Sequence, residues 1–482
     1  MLMDRFRDPK LLARVLIPVF IICILGITPR PQLADQLLQQ AQMATASGDH
    51  QAAATYFAQI AELLPNFNGL WEQAGQQAVL AGESSDAITY LQNALAKDGL
   101  SNAGQIALGD AYLASDDVAS AIHIWRSLPT SIETVTRLQI AHQRQRDYID
   151  EIADLKELIL LQPGNVKAYY RLGLLLAVTQ PSSAPAYLLQ AAERDPQYAR
   201  NSQAVIRAIE DSRSANEPAY TLLSTGRALA SLDEWELAEQ ALLQAVQIRP
   251  DYAEAWAFLG EARQKNTNNA FPQSGLSELQ KAWELDPNSV SANIFLAFYW
   301  QRKARYDLAL VYLQTAADLD SKNPVLQVEL GNTLSNLGDL PAAQDRYEHA
   351  IELAPTDPVY WRILAEYSIM HQVQIRQIAL PAARQAVILA PKDPLSLDLL
   401  GHTLLLLEDY AMAERFLQRA IQVDPGYPPA HLHLGMNYLF SGNLEAGREE
   451  LLLTCNLAPD TNLAEQARRL LDRYFTSLED NP

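Results

Sequence analysis

Cysteine is almost missing from this chain. Two occur in 482 residues, Cys23 and Cys455. They build no disulfide framework and no four-cysteine metal module, and they leave the redox compartment open. Basic residues are in deficit: 37 Lys and Arg stand against 57 Asp and Glu, a net charge of −20. No basic patch interrupts that excess, which excludes a phosphate-binding surface and with it nucleic acid as a partner. The acidity is that of solvated helix faces. Phosphate loops and dinucleotide fingerprints are absent. The eight histidines are scattered, and His431 and His433, two apart on a helix, point in different directions and make a poor metal pair. No acidic pair stands beside a base. These absences predict no catalysis, no metal, no cofactor and no small-molecule substrate.

Long apolar runs are scarce too. The one that stands out is Val15–Thr28, VLIPVFIICILGIT, 14 uncharged residues. Leu11–Ala13 extend it across Arg14, whose side chain can snorkel, so residues 11–28 are expected to serve as an uncleaved membrane anchor. A cleaved signal segment is the competing reading, with Pro29 set against cleavage after Thr28. Arg5, Arg7, Lys10 and Arg14 precede the run and only Arg30 follows closely. The positive-inside rule then puts the N-terminus in the cytoplasm and the remainder outside.

What the chain does contain is a repeated unit. It is clearest in Asn323–Pro358, NPVLQVELGNTLSNLGDLPAAQDRYEHAIELAPTDP. Asn323 can cap a first helix and Pro324 fits its first turn, where a missing N–H costs nothing. Gly338 ends that helix, Asp339 caps a second and Pro355 stops it. Small residues (Gly331, Ala343, Ala350) let the two helices approach, and large ones (Leu330, Leu334, Tyr347) fill the space between. Pro324 to Pro358 is 34 residues, and Pro391, Pro425 and Pro459 repeat that spacing. In its Leu-Gly pair, its Ala-x3-aromatic step and its closing proline, the stretch resembles the tetratricopeptide repeat family.

The resemblance implies an all-α, right-handed superhelical solenoid of helix-turn-helix units, about twelve of them. Residues 32–196 hold five. The fourth is degenerate: it lacks the Gly after Leu138 and carries Glu151 where a small residue is usual. Residues 197–218 break the register with one helical stretch and no partner helix, and are expected to bridge two sub-arrays. Residues 219–461 hold seven more, with polar residues inserted at 266–274 and a tenth repeat two residues longer than the 34-residue period. Residues 462–482 are expected to form a capping helix and tail, after the anchor or signal segment at 1–31.

In this family the first helix of each pair lines a concave groove. The groove positions of repeats eight to twelve are Ile294, Phe298, Gln301; Val328, Asn332; Arg362, Glu366; Asp398, His402; and Leu432, Met436, Leu439. The candidate partner-binding residues are Phe298, Asn332, Arg362, Glu366, His402 and Met436. Asn332 is read as a hook for a peptide backbone. Arg362 can fork onto a carboxylate unless Glu366, one turn on, pairs with it. The Lys/Asn/Arg set with which related repeats clamp a peptide carboxylate is not in register. The expected function is a membrane-tethered scaffold that binds peptide segments of other proteins in the groove, in a bacterial-type envelope assembly or secretion complex. The alternative is an accessory scaffold for polysaccharide or glycoconjugate synthesis and export.

Overall fold

The computed structural model describes residues 32–266 and 275–476. The expected anchor at 11–28, residues 267–274 of the insertion and the end of the tail lie outside the described residues. Every described element is helical, and no helix among them is long and apolar enough to cross a membrane. Contacts divide the chain into two compact units, one ending at Asn216 and the other beginning at Glu217.

The first unit stacks five helical hairpins: α1 (Gln32–Ser47) with α2 (His50–Leu63), α3 (Leu70–Ala81) with α4 (Ser84–Lys97), α5 (Asn102–Ala114) with α6 (Val118–Arg126), α7 (Ile132–Gln145) with α8 (Tyr148–Leu161), and α9 (Val166–Thr179) with α10 (Ala184–Arg194). The helix expected in 197–218 is α11 (Ala199–Arg213). It has no hairpin partner, and it lays Val205 and Ile209 against repeat five.

The second unit stacks seven: α12 (Pro218–Ala230) with α13 (Trp235–Ile248), α14 (Ala253–Lys265) with α15 (Leu276–Leu285), α16 (Val290–Arg302) with α17 (Tyr306–Leu319), α18 (Pro324–Leu337) with α19 (Leu340–Leu353), α20 (Pro358–Met370) with α21 (Leu380–Leu389), α22 (Pro394–Leu406) with α23 (Tyr410–Val423), and α24 (Pro428–Ser441) with α25 (Leu444–Leu457). A last helix, α26 (Asn462–Leu471), buries Ala464 and Ala467 against the final hairpin. Each unit is thus an all-α solenoid stack of paired helices, five pairs in the first and seven in the second.

One residue in each hairpin sets the helix crossing. In order these are Ala41, Gly75, Gly109, Gln139, Gly173, Gly226, Gly260, Ala297, Gly331, Ala365, Gly401 and Gly435. Twelve residues after most of them comes a small partner, such as Ala87, Ala121 or Ala343, and sixteen after comes a bulky side chain that lies over the crossing. A Cβ on Gly331 would stand 2.6 Å from Tyr347, and one on Gly109 2.2 Å from Trp125. Only hydrogen fits there. Departures from the 34-residue step are visible in the helices. The step from Gly109 to Gln139 is 30 because α6 has nine residues. Ala365 to Gly401 is 36, and the π-helical turn Ile375–Ala379 lies between.

The turns are equally regular. In ten hairpins the backbone turns left-handed seven residues after the crossing residue, at Gly48, Gly82, Gly338 and Gly442 but also at Asp116, Arg146, Asp233, Ala304, Gln372 and Glu408, while repeat five has Gln180 there with φ −145°. Where the next described residue is Asp or Asn, its side chain caps the second helix. Asp339 accepts from the Ala342 N–H at 3.2 Å, and Asp49, Asp117, Asp147 and Asp409 repeat the contact. Asn323 caps α18 ahead of Pro324, as the sequence predicts. Each such cap stabilises its helix by about 1 kcal/mol.

Candidate functional site in the second unit

The residue that follows each crossing residue is turned about 100° from the paired helix. In the second unit this column reads Arg227, Glu261, Phe298, Asn332, Glu366, His402 and Met436. Two cavities open along it.

The larger, 570 Å³, runs over the first helices of repeats six to nine. Its apolar wall is Phe258, Phe295 and Phe298. Phe258 meets Phe295 edge-to-face at 4.9 Å, and Phe295 lies 6.5 Å from Phe298. Arg227 sits 5.0 Å over the Phe258 ring and holds Glu254 at 2.9 Å. Arg302 forks onto the buried Glu261 at 3.1 and 2.7 Å, which fixes both side chains. Lys265 also lines the cavity and makes no ion pair with a described residue. Glu329 closes the far end; burial raises its pKa against the Gln301 amide, which donates to it at 3.3 Å.

The smaller cavity, 380 Å³, includes Asn332, Glu366, Tyr347, Tyr367, Met370 and His371 in its lining. The Asn332 carbonyl oxygen accepts from the Tyr347 hydroxyl at 2.8 Å, which orients the amide and leaves its NH₂ group without a partner among the described residues. Burial holds the Tyr347 phenol above its usual range. Glu366 is exposed as a residue, yet the packing around its carboxyl removes water and raises its pKa.

The other candidates are occupied by the fold. Arg362 pairs with Asp393, the cap of α22, and not with Glu366, because the next repeat brings that carboxylate within reach. His402 stacks on His433 with ring centroids 3.9 Å apart; burial, then the neighbouring imidazole, pushes its pKa down to about 2. His433 in turn contacts Asp398 at 2.7 Å. Met436 packs against two core clusters, and Leu432 and Leu439, read as groove positions, are core at 1% and 4% exposure. His431 is held by Glu450 at 2.6 Å and the Pro425 carbonyl at 3.0 Å. Among the described residues no group of three or more His, Cys, Asp or Glu could hold a metal ion. Sequence reasoning missed Phe258 and Phe295. Both stand two residues before a crossing residue, and that shared offset was the available signal.

Residues 73–125, 302–367 and 396–427 match models of the tetratricopeptide repeat. The Protein CTR9 homolog of Arabidopsis thaliana is 24% identical over 286 residues, 58% of this chain and 26% of that protein. The chain thus matches about a quarter of that relative's length. The crystal structure of yeast Tom70 is 14% identical, with 93% of this chain and 96% of that chain covered and a TM-score of 0.41. The crystal structure of YrrB, a TPR protein with an unusual peptide-binding site, is 22% identical, with 40% and 97% covered and a TM-score of 0.31.

Proposed function

We propose that this chain, which carries tetratricopeptide repeats, is a scaffold whose second unit holds extended segments of other proteins along the column from Arg227 to Glu366. One observation carries the reading: two cavities of ligand size open in succession on that column, the first walled by phenylalanines and the second furnished with the Asn332 NH₂ and a carboxylate. An apolar side chain would enter at Phe258, Phe295 and Phe298. The Asn332 NH₂ would donate to a peptide carbonyl, which gives affinity without demanding one side-chain sequence. Residues 11–28 would tether the scaffold to a membrane with the repeats on the extracytoplasmic side, in an envelope assembly or secretion complex. The support for the tether is the apolar run and the basic residues before it.

The test is a pull-down from detergent-solubilised, carbonate-washed membranes with Phe298→Ala combined with Asn332→Ala, beside a thermal melt. Partner capture is expected to fall several-fold, while helical content and cooperative melting are retained. Full partner retention with a lowered melt would make both residues packing residues. Loss of the wild-type chain to the carbonate wash would remove the tether from the reading.

A further inference from the structure

A third cavity of the second unit lies apart from that column. It measures 920 Å³ and runs between the second helices of repeats eight and nine, α17 and α19. Its floor is apolar: Leu310 and Val311 from α17 and Ala342 from α19. Val311 is 63% exposed, an aliphatic side chain presented to water in mid-helix. Its α19 rim carries Asp345, Glu348 and Glu352. Asp345 has no partner among the described residues, Glu348 accepts from Gln344 at 2.8 Å, and Glu352 is met by His349 at 3.0 Å. The rim's one arginine, Arg346, reaches Gln327 at 3.3 Å and neutralises none of the three.

We propose that this outer groove is a second docking surface, and that its occupant is a basic amphipathic helix of a partner protein. Charge complementarity selects the sign: an apolar floor beside three under-neutralised carboxylates suits an apolar stripe flanked by Lys or Arg. Backbone accounting selects the helix. The groove walls are helices whose N–H and C=O groups are already bonded within themselves, so an extended guest would find no ladder to join, whereas a helix brings its own bonds. Packing between two helices also matches the ridge-and-groove relief of α17 and α19. This site is independent of the peptide column, so either can fail without the other.

The probe is a fluorescein-labelled 18-residue helical peptide of Leu and Lys, with a Leu/Glu counterpart. Each is titrated by fluorescence anisotropy against the full chain in a non-ionic amphipol, with the amphipol alone as blank. Val311→Ser is expected to weaken the Leu/Lys peptide about fivefold or more, in line with loss of an apolar contact. Asp345→Lys with Glu348→Lys should weaken it at least tenfold and confer binding of the Leu/Glu peptide. These positions are surface-exposed or cavity-lining, and each variant is expected to keep the wild-type helical signal in circular dichroism. Phe298→Ala should leave the affinity unchanged. Equal affinity across the groove variants overturns the proposal, as does a loss that follows Phe298→Ala instead or wild-type binding of the Leu/Glu peptide as tight as that of Leu/Lys.

Discussion

Repeat four of the first unit and repeat nine of the second solve the same crossing by opposite means. In repeat nine, Gly331 and Ala343 bring the helices together and the Tyr347 ring covers the gap, with all three buried. In repeat four the same two positions hold Gln139 and Glu151. The Gln139 amide donates to Glu151 at 2.9 Å, and Arg171, from the first helix of repeat five, adds two bonds at 2.9 and 3.1 Å to a carboxylate that is fully buried. Around this core Arg137 forks onto Asp110 of repeat three at 2.7 and 2.9 Å, and the buried His142 meets Asp154 at 2.5 Å. A small–small crossing is therefore dispensable where a polar pair is fully satisfied. The consequence differs, however. Repeat nine closes its crossing within itself, while repeat four needs a side chain from its neighbour.

Removing that side chain is the strongest way to break the comparison. Arg171→Met leaves Glu151 buried with one amide donor, and the expected loss is about 3–5 kcal/mol. Because stability in stacked repeats is local, amide hydrogen exchange should rise most in repeats four and five and little beyond Glu217. Adding Gln139→Leu and Glu151→Met to the same variant removes the stranded charge at similar volume and should recover most of the loss. A loss below about 1 kcal/mol for Arg171→Met would show that Glu151 draws no support from the guanidinium.

The degenerate repeat also marks how far the sequence could be read. The period was legible because glycine, alanine and proline each do one steric job at a fixed offset, and these jobs survive in the structure at Gly331, Ala343 and Pro324. Glu151 was legible as an exception but not as a pair, since its partner Arg171 lies 20 residues on, in another repeat. The groove was read less well for the same reason. Arg362 and Glu366 share a helix face, so a pairing between them was the natural local expectation. It lost to Asp393, which stacking of the next repeat supplies. His402 stands among the partner-binding candidates of the sequence, yet its ring is stacked on His433 and packed away from water. Positions set by one hairpin were visible in the sequence; those set by two were not.

A second carboxylate sharpens the contrast between the units. Glu151 is saturated by its partners, whereas half-buried Glu329 receives, among the described residues, only the Gln301 amide, and burial raises its pKa. The folded chain therefore keeps the Glu329 proton to higher pH than the unfolded chain, where a glutamate titrates near 4.3. The folded state is favoured by this group below that value, and the advantage is lost as pH rises through the folded pKa. Glu329→Gln should accordingly raise the melting temperature at pH 7 and leave it unchanged near pH 4 and below. An increase of the same size at both would trace the effect to packing and not to ionisation.

The smallest expected effect separates backbone from side chain at the turns. Repeats eight and nine place Ala304 and Gly338 at the same left-handed position, with φ of 54° and 83°. A Cβ built on Gly338 meets nothing within 4 Å, so Gly338→Ala changes the backbone energy and almost nothing else. Its cost is expected to be about 1 kcal/mol, the strain of a left-handed alanine. The reverse change, Ala304→Gly, relieves the same strain but gives the unfolded chain more freedom, so its gain should be smaller, about 0.5 kcal/mol. Melts of both variants against the wild-type chain, read with hydrogen exchange in the two turns, measure the pair. If Ala304→Gly destabilises the array, the turn is held by contacts of the alanine methyl, and the shared left-handed position does not set its energy.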